Sequence, residues 1–215
     1  MPSMLSLKVI GMAGLASYAV AYVCARRRHV AYHRYKLIRI AAADLPDMPR
    51  GYSARVLSPA ELARHTIDVG PDAQAERFRA GLACLGTFDR AGALVGVAWM
   101  ARAAHREHDL HVRYVLPDNA AWDTGMWIPE DKRMGRAFAA VCAAIKQWLR
   151  EQGLDCSMSS IADYNVSSIL AHRRLGSVRM RYVTVLRIGR FQFTLGARPR
   201  FCVVGRTPMP AVTLP

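Results

Sequence analysis

No acidic residue occurs before Asp44, and the 215-residue chain holds only 16 Asp and Glu against 30 Lys and Arg, a formal charge of +14. Such an excess fits nucleic acid, anionic lipid or a phosphate-rich small molecule as partner, and says nothing about fold. Paired cysteines are also missing. Cys24, Cys84, Cys142, Cys156 and Cys202 are scattered, odd in number and without a CxxC pair, which argues against a disulfide framework and for a reducing compartment. There is no Ser-His-Asp nucleophile elbow and no GxxxxGK[ST] loop. With 52% hydrophobic and 21% charged residues, the composition reads as globular and argues against disorder, and the length suits one domain plus an appendage.

One long uncharged run is present, Val9 to Cys24, which extends back past Lys8 to Leu5. About twenty residues match the roughly 30 Å of a bilayer core. Six basic residues follow it directly: Arg26, Arg27, Arg28, Arg34, Lys36 and Arg39. A cleaved signal peptide carries its charge before the apolar stretch, so this order argues against one. The positive-inside rule places everything after Arg26 in the cytoplasm. Gly11, Ala13, Gly14, Ala16 and Ser17 make the stretch only mildly hydrophobic, so a helix lying on the membrane or docked on the domain stays open. Ala13, Ser17 and Ala21 repeat at every fourth position, a spacing that suits a helix-packing face.

Beyond a proline-containing linker at 41–51 the pattern alternates between strands and helices. A strand at 53–57 leads to Ser58-Pro59-Ala60-Glu61, a capping box with Pro at the first helical position. A helix is expected from Asp72 to Leu82. A hairpin follows, 83–88 and 94–100, around the turn Asp89-Arg90-Ala91-Gly92. Strands are expected at 111–116 and 122–128. Phe138, Val141, Cys142, Ile145, Trp148 and Leu149 then lie on one helical face that Gly153 terminates. Strand 156–161, helix 165–175, strand 178–188 and a strand pair within 191–204 complete the pattern. Trp99, Trp122, Trp127 and Trp148 read as core or cleft-wall aromatics.

Two motifs carry chemistry. After Pro129, the run Glu130-Asp131-Lys132-Arg133-Met134-Gly135-Arg136-Ala137 opens a helix with small residues where backbone amides can face an anion. Here the chain resembles the GNAT superfamily of acyl-CoA-dependent acyltransferases, whose phosphate loop reads Arg or Gln, two residues, Gly, one residue, Gly or Ala. Lys132, Gly135 and Ala137 keep that spacing, with Lys for the usual Arg or Gln. The second motif is Asn165, Ser168, His172 and Gly176, where the family has Asn, a small residue, an aromatic and Gly. His172 replaces the usual Tyr and Ser177 the usual Phe.

The resemblance spans roughly Tyr52 to Ile188. It implies an α/β (α+β) fold: a GNAT-like mixed, mostly antiparallel sheet with flanking helices and splayed central strands, here with an N-terminal hydrophobic helix added. Strands 122–128 and 156–161 should part, so that backbone near Trp127 and Ile128 pairs with a pantetheine arm. Lys132, Arg133, Met134, Gly135, Arg136 and Ala137 would hold the diphosphate, with Asn165 and Ser168 in the second cofactor-binding segment. The implied reaction transfers an acetyl or other acyl group from acetyl-CoA or another acyl-CoA to an amine, through an oxyanion held by main-chain N–H groups.

A base and an acid are needed. Asp123, four residues before Trp127 and hence expected on the same strand face, is the candidate base. His172 is the candidate acid, its ordinary pKa near 6.5 suiting neutral pH. Glu107 and His111 are reserves for the base. His105, His108 and His111 recur at every third residue, but nothing makes them converge as zinc ligands, and no metal is expected.

The expected organisation is an anchor helix with a basic juxtamembrane segment at 1–40, the linker at 41–51, an acyltransferase domain at 52–205 and a tail at 206–215. Membrane is an expected partner and acyl-carrier protein, as used by N-acyl amino acid synthases, an alternative acyl donor. A non-catalytic GNAT-like module that binds membrane or nucleic acid is the reading from another class. Nucleic acid is the weaker partner, because membrane topology accounts for the densest basic block.

Overall fold

The computed structural model describes residues 4–107, 110–133 and 135–215. In chain order its elements are α1 (Met4–Ala25), β1 (Val30–Ala41), β2 (Tyr52–Leu57), α2 (Pro59–Leu62), α3 (Pro71–Arg79), β3 (Ala83–Asp89), β4 (Leu94–Arg102), β5 (Ala104–Glu107), β6 (Val112–Val115) and β7 (Ala120–Trp127). They continue with α4 (Arg136–Glu151), β8 (Cys156–Ala162), α5 (Val166–Arg174), β9 (Val178–Ile188), β10 (Phe191–Leu195), β11 (Phe201–Val203) and β12 (Ala211–Thr213). The chain forms two compact units: Met1–Arg39, Ala104–Pro117 and Ser160–Pro215 make the first, Ile40–Ala103 and Asp118–Ser159 the second.

In the second unit the strand order is β8-β7-β4-β3-β2, antiparallel except for the parallel β7–β8 pair. The expected helix forms as α4, and it buries Ala137, Ala140, Val141, Ala144, Ile145, Trp148 and Leu149. Small residues let it come close. A Cβ on Gly96 would lie 2.4 Å from Val141 Cγ2, so that position admits no side chain. A core of Leu57, Leu62, Cys84, Phe88, Val97 and Trp99 also forms, with Phe78 and Trp127 packed against it. Each large side chain buried this way contributes roughly 1.5–3 kcal/mol.

Local signals hold where they are strong. Ser58 Oγ accepts from the Glu61 N–H at 3.3 Å, while Glu61 Oε2 accepts from the Ser58 N–H at 2.9 Å. The Ser58 N–H and the Ser58 hydroxyl, both donating to the Glu61 carboxylate, pull its pKa down to about 2 together with Arg55. In the β3–β4 turn, Asp89 Oδ1 accepts from the N–H groups of Ala91 and Ala93, each at 3.0 Å, and Gly92 takes φ 79°, which favours glycine.

The first unit holds two sheets, β11-β10-β9-β1, all antiparallel, and β12-β6-β5. Two assignments change here. Residues 30–41, read above as basic segment and linker, form β1, paired with β9 from Val30–Ile188 to Arg39–Val178. Charge masked this strand: Arg34 stacks over the Tyr182 ring and bonds Asp163, so its charge is matched inside the fold. Residues 211–213, read as tail, pair in parallel with β6.

By length and composition α1 could cross a membrane. Its helix is broken, however, since Gly11 sits at φ 66°, ψ −177°. The part after it, Met12–Ala25, is about 21 Å long, short of the roughly 30 Å hydrocarbon core. Gly14 and Ser17 are buried, and a Cβ on Gly14 would lie 3.2 Å from the Asp163 carbonyl oxygen. Ser17 from the expected small-residue face is thus buried, while Ala13 is exposed and Gly14 takes its place.

Candidate functional site

The β7–β8 ladder is short, joining Ala120 to Cys156, Ala121 to Ser157 and Trp122 to Met158. β7 runs on to Trp127. The register against β4 shows what happens next: Met100 faces Asp123 but Trp99 faces Gly125. Thr124 is therefore an extra residue, a β-bulge that bends the strand where the ladder ends. Among the described residues, one backbone edge of β7 beyond the bulge has no strand along it.

The bulge overturns one expectation. An inserted residue reverses the alternation of side chains, so Asp123 and Trp127 lie on opposite faces. Trp127 packs with the Val97 and Trp99 core. Asp123 is buried on the α4 side, where its charge, after burial itself, helps push the Cys142 thiol up to about 12. Its Oδ1 accepts from the Gly125 N–H at 2.9 Å, tying off the bulge. Sequence reasoning missed Thr124, whose buried Oγ1 has no hydrogen-bond partner among the described residues. No sequence signal marks a bulge at that position.

From Trp127 the chain passes Ile128 and Pro129, makes a 3-10 turn at Glu130–Lys132 and enters α4 with Gly135 as N-cap. Helix geometry leaves the first amides of α4, those of Arg136, Ala137 and Phe138, without an intrahelical acceptor. Gly135 has no side chain to cap them, and its own N–H bonds the Lys132 carbonyl at 3.2 Å. Arg133 Nε bonds the Ile128 carbonyl at 3.1 Å, so it braces the loop and occupies a backbone group expected to meet the pantetheine arm. Lys132 Nζ lies 3.4 Å from Asp89 Oδ2. Asp89 is held below its ordinary pKa first by the Ala93 N–H, then by Ala91 and Lys132. Met134 lies outside the described residues. Arg136 opens instead onto a cavity of about 570 Å³ that Arg50, Tyr52, Asp89 and Arg90 also line. Arg50 and Arg90 were not singled out from the sequence, where they sit in ordinary linker and turn contexts.

The second motif lies in the first unit. Asn165 is the N-cap of α5, its Oδ1 accepting from the Ser168 N–H at 3.2 Å and the Ser167 hydroxyl at 3.0 Å. One turn on, His172 Nδ1 donates to the Ser168 carbonyl at 2.8 Å. A carbonyl can only accept, so in neutral His172 the proton sits on Nδ1 and Nε2 carries the lone pair. The reserve residues behave differently. His111 takes a left-handed φ of 48° and its carbonyl accepts from Gln192, while His105 Nε2 lies 3.5 Å from Glu107 Oε2. His108 lies outside the described residues.

Neither a protein-family model nor a curated protein matches the sequence. Solved structures do match. A functionally unknown conserved protein from Staphylococcus epidermidis superposes with a TM-score of 0.53 at 12% identity, over 76% of this chain and 65% of that one. A putative acetyltransferase of the GNAT family from Novosphingobium aromaticivorans gives 0.49 at 15% identity, over 75% and 66%. A GCN5-related N-acetyltransferase from Sphaerobacter thermophilus gives 0.48 at 15% identity, over 80% and 58%.

The chain shares its fold with the functionally unknown Staphylococcus epidermidis protein.

The chain spans less than two thirds of the length of the first of these matches. The second unit holds Asp123, Trp127, Ile128, Lys132, Arg133, Gly135, Arg136 and Ala137, and the first unit holds Asn165, Ser168 and His172.

Proposed function

We propose that this chain is a membrane-associated N-acyltransferase that moves an acetyl or other acyl group from acyl-CoA to an amine. One observation carries the proposal: the unpaired edge of β7 leads, through a loop braced by Arg133, to the glycine-capped start of α4 beside three arginines. An extended backbone edge suits an amide-containing arm such as pantetheine. Open helix amides and arginines suit a diphosphate.

In the reaction the amine nitrogen attacks the thioester carbonyl carbon, an oxyanion forms, and the C–S bond breaks as the carbonyl returns. The amine loses one proton and the thiolate gains one. Asp123 or a water it orients takes the first, and a general acid supplies the second. Peptide N–H groups along β7 stabilise the oxyanion. The catalytic domain would face the cytoplasm, by the Arg26–Arg28 block after α1.

A non-catalytic role is favoured by a different observation, that Asp123 and Lys132 are already engaged by Gly125 and Asp89. Incubation with acetyl-CoA, longer acyl-CoAs and acylated carrier protein, with thiol release followed across a panel of amines, separates these readings. Turnover with an acyl-CoA supports the proposal. Turnover only with carrier protein replaces the donor, and binding of CoA without turnover leaves a binding module.

A further inference from the structure

Strand β10 is inside out. Its Gln192 and Thr194 are 0% exposed, while Phe191, Phe193 and Leu195 are 60%, 44% and 47% exposed. A half-buried strand in water shows the reverse alternation. Register extends the pattern across the sheet: Phe193 pairs with Leu186 and Phe201, and Phe191 with Ile188 and Val203. Leu186, Ile188 and Phe201 are exposed as well. These side chains form one contiguous apolar face, larger in kind than the scattered surface leucines of ordinary proteins.

The helix α1 lies on the same side. Arg34 pairs with Thr184, two residues along from Tyr32 opposite Leu186, so it shares this face. Arg34 bonds Asp163, against which Gly14 of α1 rests. Away from that contact α1 exposes Met12, Tyr18, Val20, Tyr22 and Val23.

Charge selects the occupant. Eighteen of the 30 Lys and Arg but only three of the 16 Asp and Glu fall in the first unit, giving it a formal +15 and the second unit −1. Arg26–Arg28 follow α1, and the Gly189 N–H bonds the His29 carbonyl at 2.7 Å, which sets Arg190 at the same end of the sheet. Arg190 in turn bonds the Val204 carbonyl, near Arg206. An apolar face bordered by arginines and tyrosines suits a bilayer interface bearing anionic headgroups.

We propose that the outer face of β9, β10 and β11 seats on an anionic lipid surface together with α1, so that the protein is held by a sheet face as well as by a helix. This does not depend on the acyl-transfer reading, and its test involves no turnover. The test uses full-length Phe193→Trp and Phe201→Trp proteins, with vesicles of phosphatidylcholine alone or mixed with phosphatidylglycerol. With anionic vesicles the tryptophan emission should shift to the blue and be quenched by brominated lipid, at least several-fold more than with neutral ones. About 0.5 M salt should weaken the effect, since surface attraction is screened. A full-length F193E/F201E double variant should keep the wild-type circular dichroism spectrum and lose about ten-fold in vesicle affinity.

Two results would overturn the proposal. In one, the protein sediments with vesicles while emission from both positions stays unchanged, leaving α1 as the sole anchor. In the other, emission is already blue without lipid and light scattering shows a dimer that F193E/F201E dissociates, making a second copy of the chain the occupant.

Discussion

Asp123 Oδ1 accepts a 2.9 Å hydrogen bond from the Gly125 backbone N–H across the Thr124 bulge. The carboxylate proposed as base is thus also the clasp of the distortion that opens the β7 edge. Asp123→Asn keeps an oxygen acceptor and should retain the fold within about 1 kcal/mol, whereas Asp123→Ala should cost about 1–3 kcal/mol. If Asp123 is the base, the Asn variant should lose about 10²–10⁴ in kcat. Urea unfolding and steady-state kinetics on the same samples read both, and an Asn variant with full activity removes Asp123 from the mechanism.

Gly135 has room above it. An added Cβ would meet only the Lys132 carbonyl oxygen at 3.5 Å, and φ is −111°, so Gly135→Ala should fold normally. A large side chain there would cover the α4 amides. Gly135→Trp should weaken CoA binding at least ten-fold in calorimetric titration with an unchanged melting temperature. Equal affinity in both proteins moves the diphosphate elsewhere.

His172 has its Nδ1 committed to the Ser168 carbonyl. Replacement by Gln should lower kcat about 10²–10⁴-fold with little change in KM if Nε2 supplies the leaving-group proton. A proportional rise in KM at constant kcat would instead mark a residue that only binds.

Asp163 links α1 to β1, and its pKa is raised, chiefly by burial, against the lowering effect of Ser17, Arg34 and Lys36. A raised folded pKa means that the native state holds the proton more tightly. Its stabilisation is full below the ordinary carboxylate pKa of 3.8 and is lost as pH rises through the higher folded value. Asp163→Asn cannot titrate, so its melting temperature should gain on wild type as pH is raised from about 4 to about 7. A difference that is flat across that range would mean the folded pKa is not raised.

Removal of residues before His29 should leave β1 intact and the chain folded. Removal through Ala41 deletes the strand paired along β9 and should abolish cooperative thermal unfolding in circular dichroism. A cooperative transition in the shorter chain would show β1 to be dispensable.

The elements legible in the sequence are those written in neighbouring residues. The 3.6 period of α4, the Ser58 capping box, the Asp89–Gly92 turn and the Asn165 cap each depend on contacts within a few positions, and each forms where expected. β1 was hidden because three of its residues are basic, and their acceptability comes from Asp163 and the Tyr182 ring, far away in sequence. The same limit applies to the site. The start of α4 could be found from its small residues, but Arg50 and Arg90 join Arg136 only through the β2–β3 pairing.

By itself, then, the sequence determined the periodicity, the caps, the turns and the surplus of positive charge, because these follow from local geometry and composition. Tertiary structure decided the bulge at Thr124 that parts Asp123 from Trp127, and it decided which side of β10 meets the interior. A strand's alternation fixes two faces but not which is inward. That choice is made by the partners packed against it, and here they bury Gln192 and leave the phenylalanines outside.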